Sequence, residues 1–178
     1  MVLKTFMIMH FKNNISKVAT LIVAALLFFS FTSAYVLNAR DWGKIEKSTK
    51  ALFNTADFSF SEINTISKFG TTRLFKIADL GYLAFDQAPS KFHKFEYYMI
   101  FSDKGDVLKI EVLNYNENYG AEICNKRWLK QFQKINTSSF LTYNNSIDGI
   151  SGATLSVQSI SANSWQVTQK LKTHLQLK

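Results

Sequence analysis

The sequence predicts an α+β fold in which an antiparallel sheet packs against a long C-terminal amphipathic helix, preceded by an N-terminal signal or anchor helix. Three observations predict it: an uncharged run over residues 18–37, strand-like runs between residues 74 and 113, and a helical apolar stripe over residues 153–175. A length of 178 residues leaves room for one domain and a short appendage. The predicted parts are a signal peptide or membrane anchor at 1–37, a connecting helical segment at 38–73 and a folded domain at 74–178.

The amino-terminal run has the character of an export segment. Val18–Leu37 contains twenty uncharged residues, about enough to cross a bilayer at roughly 1.5 Å per residue, and three lysines precede it. Its densest apolar part, Val18–Phe29, is followed by Thr32-Ser33-Ala34, which resembles a signal-peptide cleavage site. A cleaved signal and a retained anchor both fit. In either case the lysines favour a cytoplasmic amino end, so we expect the domain in the periplasm or on the periplasmic face of the cytoplasmic membrane.

Composition excludes several classes of site. The single cysteine, Cys124, rules out an intramolecular disulfide and a cysteine-based zinc or iron–sulfur site. The three histidines lack metal-ligand spacing, so the sequence predicts no metal site. The net charge of +8 includes the lysines of the export segment, and the remaining lysines are scattered apart from a loose cluster between residues 126 and 134. We therefore expect an ordinary solvated surface and no nucleic-acid partner.

The first elements of the domain are a helix and three strand-like runs. A broken apolar stripe over residues 42–56 predicts the helix. Aromatic and branched aliphatic side chains predict strands at residues 74–86, 92–101 and 107–113. We expect the last two runs to form a hairpin, with Gly105 at a positive-φ turn position and Asp103 making an Asx bond.

The second half of the domain begins with the last of these strands. Alternation there predicts Leu108, Ile110 and Val112 on the core face and Val107 on the other face. Turn residues fill Asn114–Gly120. The helices that follow are expected at Arg127–Phe132, with Trp128, Leu129 and Phe132 inward, and at Ala153–Leu175, which is expected to pack across the sheet.

The most informative stretch is Asp148–Ser156, with the sequence D-G-I-S-G-A-T-L-S. Gly149 and Gly152 allow tight backbone and leave space for a bulky group. The stretch runs into the last helix, where free backbone N–H groups favour phosphate. Its hydroxyl side chains are Ser151, Thr154 and Ser156. From the residues alone, two interpretations stay open: an anion site, or a helix capped by Ser151 without any ligand.

This stretch resembles the flavinylation motif of the FMN-binding domain family, Asp-x-x-(Ser/Thr)-Gly-Ala-(Ser/Thr). The family includes flavin-carrying components of the Na+-translocating NADH:quinone reductase and of the Rnf electron-transport complex. Every fixed position matches, and the order of hairpin, turn, Trp-containing helix and motif over residues 74–165 is also similar. The resemblance implies that a periplasmic flavin transferase moves FMN from FAD onto Thr154 and forms a phosphoester. The other matching recognition positions are Asp148, Ser151, Gly152 and Ala153, and Ser151 and Ser156 would stabilise the phosphodiester charge.

The chain departs from the family in one loop. Many members carry Glu-Thr-Pro-Gly near the flavin, where this chain has Glu117-Asn118-Tyr119-Gly120. Glu117 and Gly120 match, while Asn and Tyr replace the family's Thr and Pro. Tyr119 is a candidate for stacking on the isoalloxazine ring, and Glu117 is a candidate for bonding a ring or ribitol group. The same residue types are ordinary turn formers, so both interpretations of the loop stay open.

The function implied by the resemblance is that of an exported electron-transfer flavoprotein with covalent FMN as its cofactor. Its expected partners are the flavin transferase and a membrane electron-transfer protein, and no oligomeric state is indicated. Thr154 would accept the modification and have no catalytic role. Two alternatives stay open: a flavin-dependent reductase of a soluble substrate, and a cofactor-free exported binding module. The sequence has no NAD-binding glycine motif and no cluster of His or Arg to protonate a substrate, which favours the carrier.

Overall fold

The computed structural model of the chain describes residues 37–63, 72–134 and 146–176. The chain divides into residues 1–36 and one compact unit at 37–178, to which every described residue belongs. The expected signal or anchor lies outside the described residues, except for Leu37. Within the described part, none of the helices is both long enough and apolar enough to cross a bilayer.

The described residues form two long helices, a five-stranded sheet and a short helical connection. In chain order, helix α1 is Ala39–Phe53, and the strands are β1 Phe60–Glu62, β2 Arg73–Ile77, β3 Gly81–Pro89, β4 Lys94–Ser102 and β5 Val107–Asn114. The 3₁₀ turn Ala121–Cys124, helix α2 Lys126–Leu129 and the 3₁₀ turn Lys130–Lys134 follow, and helix α3 spans Thr154–Gln176. Neighbouring strands pair antiparallel in the order β1-β2-β3-β4-β5. The antiparallel sheet and the long C-terminal helix are therefore confirmed.

The beginning of the sheet differs from the prediction. Residues 74–86 do not form one strand, because the turn 78–80 separates β2 from β3. Both strands are largely buried and rich in apolar side chains, so the sequence shows no clear break at the short turn between them. The short strand β1, which was not predicted, pairs with β2 through Phe60 opposite Ile77. The helical segment expected at 38–73 thus contains α1, β1 and the first residue of β2, within the same compact unit as the rest of the domain.

A β-bulge changes the alternation of β5. Val107 lies opposite Phe101 and Lys109 lies opposite Ile100, so Leu108 has no partner on β4. Val107 consequently shares the core face with Ile110 and Val112, and the predicted faces of Val107 and Leu108 are wrong.

The α3 face of the sheet carries the main core. Side chains from β3, β4 and β5 pack there against the apolar stripe of α3, and the fully or nearly fully buried members include Tyr97, Met99, Phe101, Ile110, Val157, Ile160, Val167 and Leu171. Leu129 and Phe132 are buried in the same core, as expected for the short helical connection. Burial of this stripe explains why α3 forms, since helices are stabilised mainly by packing of an apolar face.

Helix α1 covers the opposite face of the sheet. Its amino end is capped by Asn38, whose side chain accepts a hydrogen bond from the Asp41 N–H at 2.9 Å, and it ends at Asn54 in the left-handed conformation. Tyr98 of β4 donates to Ser48 of α1 at 2.7 Å, which ties the helix to the sheet. The sheet is therefore enclosed by two helices, and its outer loops are where a site is accessible.

Candidate functional site

The segment preceding α3 is anchored by two isoleucines. Ile147 and Ile150 are 1% and 6% exposed and belong to the core, whereas Asp148 and Gly149 between them are exposed. The backbone of Asp148 is held by the helical connection: the Trp128 indole N–H donates to its carbonyl at 2.9 Å, and its N–H donates to the Gln131 side chain at 2.9 Å. No described residue donates a hydrogen bond to the Asp148 carboxylate, so this group faces solvent and is accessible to another macromolecule.

Helix α3 begins later than a Ser151 cap would require. Ala153 accepts the first helical bond, from the Val157 N–H at 2.9 Å, and Thr154 is the first helical residue. The expectation that Ser151 is the N-cap is therefore wrong, and the capping position holds an alanine, which has no side-chain acceptor. Among the described residues, none accepts a hydrogen bond from the N–H groups of Thr154, Leu155 or Ser156. These donors lie beside the exposed Thr154 side chain, at an end of the helix that favours an anion.

The loop that follows β5 lies directly against the motif. Gly120 has a φ of +81°, and a Cβ there would lie 2.2 Å from the Cβ of Ala153. Gly152 has a φ of +76°, and its added Cβ would lie 3.0 Å from the Cβ of Tyr119. Only glycines permit this conformation together with this closeness. The structure therefore brings together the two stretches that the sequence singled out, with Ala153 buried between them.

Three hydroxyl groups connect the motif to the rest of the site. Ser156 is 1% exposed, and its Oγ is hydrogen-bonded to the Oγ of Ser90 and, at 3.1 Å, to the hydroxyl of Tyr115. The Tyr115 hydroxyl also donates to the carbonyl of Tyr119 at 3.1 Å. Residues two apart on a helix point to nearly opposite sides, so Ser156 is on the buried side of α3 while Thr154 is on the exposed side. Ser156 acts as an internal link and does not lie beside the Thr154 hydroxyl.

Glu117 holds the turn between β3 and β4. Its Oε1 accepts hydrogen bonds from the N–H groups of Phe92 and His93, both at 2.9 Å. The bond from the Phe92 N–H is the main cause that lowers the pKa of Glu117, and the His93 N–H, the Ser90 hydroxyl and the charge of His93 lower it further. The same turn is tied to α3, because Ser159 donates to the carbonyl of Pro89.

Most of the large exposed apolar side chains lie on segments that meet at the amino end of α3. Four large apolar residues of the described chain are exposed: Leu52 at 38%, Phe92 at 68%, Tyr119 at 76% and Leu155 at 55%. Leu52 lies on α1, and the other three lie on the β3–β4 turn, the 115–120 loop and the first turn of α3. These three segments are connected by the hydrogen bonds of Glu117 and Ser156 described above.

Apart from Glu117, which is half-buried, the predicted residues fall into two groups. Thr154, Asp148, Gly149, Ser151, Gly152 and Tyr119 are accessible at one surface, and Ala153, Ser156 and Gly120 are buried beneath it. Sequence reasoning missed Ser90, Phe92 and Tyr115. A phenylalanine among polar residues in the turn Ser90-Lys91-Phe92-His93 was the available signal, whereas nothing local marks Ser90 or Tyr115 as partners of Ser156.

Cys124 is exposed rather than buried. It lies at the end of a 3₁₀ turn in which Ile123 provides the buried contact instead.

Comparison with known proteins supports the motif independently of the geometry. Residues 93–167 match the family model described as the FMN-binding domain. The match includes β4, β5, the helical connection, the motif and the first part of α3. No curated protein matches the chain.

Proposed function

Residues 93–167 belong to the FMN-binding domain family, and from this membership we propose that the chain is an exported electron-transfer flavoprotein that carries FMN through a phosphoester to Thr154. The observation that carries the proposal is the position of Thr154. It is an exposed hydroxyl at the first residue of α3, within a motif that matches every fixed flavinylation position. The family match supports FMN as the cofactor, and the geometry supports Thr154 as the attachment point.

The residues at this surface fit the chemistry of FMN. The uncapped N–H groups of Thr154, Leu155 and Ser156 suit a phosphodiester, because backbone donors at a helix amino end favour negative charge. Gly149 and Gly152 have no side chain that would block the phosphodiester. The exposed Leu155 directly follows Thr154, and the exposed Tyr119 lies against Gly152, so apolar surface is available to an aromatic ring system. The structure thus offers an anion site and an apolar surface side by side.

The attachment is a group transfer without oxidation or reduction. The Thr154 oxygen forms a bond to the phosphorus of the FMN half of FAD, and the bond from that phosphorus to the bridging oxygen of the pyrophosphate breaks. AMP leaves with that oxygen, and the hydroxyl proton passes to a base of the flavin transferase. The exposed carboxylate of Asp148 and the exposed Ser151 are accessible for recognition by that enzyme. Their role is to be recognised by the flavin transferase while Thr154 is modified.

In the modified protein, the chain's own residues retain and position the cofactor. FMN supplies reversible electron transfer when bound, and the phosphoester prevents its loss after export. The α3 N–H groups hold the phosphodiester charge near Thr154. The close contact of Gly120 with Ala153 keeps the 115–120 loop fixed against the attachment site. We expect electrons to pass to and from a membrane partner, and Thr154 to have no catalytic role.

The test is intact-mass measurement after co-expression with a flavin transferase. The wild-type chain should gain one FMN phosphoryl adduct, Thr154→Ser should keep it and Thr154→Ala should lose it. Thr173→Ala is the matched control, because it removes another exposed threonine of α3 and should leave the adduct in place.

Two results would contradict the proposal. A wild-type mass without adduct under these conditions would favour a cofactor-free binding module. Direct oxidation of NADH by the flavinylated protein, in the absence of a membrane fraction, would favour a reductase over a carrier.

A further inference from the structure

The exposed apolar side chains at the amino end of α3 indicate a surface that binds a ligand. Three of the four large exposed apolar side chains of the described chain, Phe92, Tyr119 and Leu155, lie on the three segments that meet at the amino end of α3. Apolar surface in water is unfavourable, and its concentration at one place marks a binding surface. The attachment point of the proposed cofactor adjoins one of these residues, since Leu155 follows Thr154 directly.

We propose that Phe92, Tyr119 and Leu155 form the surface that the isoalloxazine ring of the attached FMN covers, and that Glu117 is a positioning residue that holds Phe92 there. We call these three side chains the ring surface. The inference rests on the proposed attachment to Thr154 and adds to it the β3–β4 turn, which supplies Phe92.

Each part of the ring surface is tied to the motif by a separate contact. Tyr119 lies against Gly152, where an added Cβ would be 3.0 Å from the Tyr119 Cβ. The β3–β4 turn is joined to α3 by the Ser90–Ser156 hydrogen bond and by the bond from Ser159 to Pro89. These contacts bring the three segments together at the amino end of α3, where Thr154 is the first helical residue, and on this arrangement we base the reach of a ring tethered at Thr154. A flat aromatic ring fits such a surface because offset stacking and edge contacts with aromatic side chains are favourable.

Glu117 acts on this surface through the turn. Its Oε1 accepts from both the Phe92 and the His93 N–H groups at 2.9 Å, so this oxygen is already engaged by the backbone of the turn. Glu117 belongs to the same loop as Tyr119, and it therefore links two of the three segments that carry the ring surface. The sequence suggested direct bonding to the flavin, and the geometry points instead to an indirect role.

The experiment measures how accessible the flavin is in the flavinylated protein, by iodide quenching of flavin fluorescence. Phe92→Ala should lower the ratio of covered to free ring by roughly two- to tenfold, the range expected for losing one aromatic contact. Leu52→Ala is the matched control, because it truncates the exposed apolar side chain that lies elsewhere, on α1. Equal quenching in Phe92→Ala, Leu52→Ala and the wild type would overturn the proposal.

The positioning role of Glu117 has its own readout. Glu117→Ala should increase quenching, and Glu117→Gln, which keeps an acceptor oxygen, should restore most of the protection. In the double variant Phe92→Ala with Glu117→Ala, quenching should not exceed that of Phe92→Ala alone, because Glu117 acts through Phe92. An additive increase would show that Glu117 contacts the flavin itself and would overturn this part of the proposal.

Failure of the attachment is distinguishable from failure of the ring surface. Intact mass reports the adduct for every variant before quenching is measured. If the wild-type chain carries no adduct, FMN is titrated into the unmodified protein and its fluorescence is followed. Weaker binding by Phe92→Ala than by Leu52→Ala would still support the ring surface, and equal binding would overturn it.

Discussion

The two hairpin turns on either side of β4 are held in different ways. The β4–β5 turn is stabilised mainly by its own residues: Gly105 has a φ of +80° and donates to the carbonyl of Ser102 at 3.0 Å, and Ser102 Oγ accepts from the Asp106 N–H at 3.1 Å. Its side-chain link to α3 is the ion pair between Lys172 and the exposed Asp106, at 3.4 Å. The prediction for Gly105 is confirmed, and the side-chain bond comes from Ser102 rather than from Asp103. The β3–β4 turn has a local bond from the Ser90 N–H to the His93 carbonyl at 2.8 Å, and its side-chain contacts come from Glu117, Ser156 and Ser159, which are distant in the sequence.

This difference corresponds to what each turn does in the molecule. The β4–β5 turn closes a hairpin, and local bonds suffice for that. The β3–β4 turn presents Phe92 to solvent beside the motif, and its position has to be coordinated with α3 and with the 115–120 loop. A turn held by distant elements is positioned relative to them, which is what a composite binding surface requires.

The largest difference is expected from substituting Gly120, in the loop that holds the β3–β4 turn through Glu117, and Gly105, in the β4–β5 turn. Gly120→Ala should destabilise the protein by about 3 kcal/mol or more, because a left-handed alanine is strained and its Cβ would lie 2.2 Å from the Cβ of buried Ala153. Gly105→Ala has a similar φ, but its Cβ would meet only the side chains of Leu175 and Lys172 at 3.1 and 3.3 Å, so we expect a loss of about 1 kcal/mol. Urea denaturation of both variants measures the difference.

The two glycine variants also differ in their effect on the motif. Gly120→Ala should reduce flavinylation of Thr154, because the displaced loop shifts the start of α3, whereas Gly105→Ala should leave the adduct unchanged. Equal destabilisation by the two variants would mean that the loop relaxes away from Ala153 without cost, contrary to the close packing inferred here.

Removal of one serine hydroxyl that bonds to each turn, Ser156 of α3 and Ser102 of the β4–β5 turn, sharpens the comparison. Ser156→Ala should cost about 1–2 kcal/mol, since the hydroxyl is buried and bonded to Ser90 and Tyr115, which lose their partner. Ser102→Ala removes an accessible acceptor and should cost roughly 0.5 kcal/mol or less. Thermal or urea unfolding measures both values. A smaller loss for Ser156→Ala than for Ser102→Ala would contradict the view that the β3–β4 turn is held from α3.

Acid should loosen the β3–β4 turn and leave the β4–β5 turn in place. Hydrogen bonds from the Phe92 and His93 N–H groups lower the pKa of Glu117, so its carboxylate stabilises the folded state above its ordinary pKa. That contribution is lost as the pH falls through the lowered pKa. NMR should show the amide signals of Phe92 and His93 shifting in this range, while the Gly105 N–H, which donates to the Ser102 carbonyl, keeps its protection from hydrogen exchange.

Two variants assign the titration to its source. His93 also faces Glu117, so His93→Gln removes the second titratable group and should keep the acid transition. Glu117→Gln cannot ionise and should abolish it. An acid transition that persists in Glu117→Gln would assign the titration to another group.

Much of the fold was predictable because it depends on short-range patterns. The apolar stripe of α3, the hairpin at Gly105 and the turn of residues 114–120 follow from side-chain period and turn chemistry, and they were predicted at nearly their observed positions. The boundary between β2 and β3 and the bulge at Leu108 were not predicted. The β2–β3 boundary is not visible in the sequence because both strands are buried, and the bulge at Leu108 depends on the register of β5 against β4.

For the candidate site, the sequence established the motif and the chemistry that Thr154 offers, because a flavinylation motif is a contiguous stretch whose residues are recognised together. Folding established which hydroxyl faces solvent and which is buried, where α3 starts, and that the turn holding Phe92 is bonded to Glu117 and to α3. The contacts that hold the site join residues as far as 70 positions apart. Such distant partners are chosen by the packing of the sheet, the loop and the helix, which no local pattern encodes.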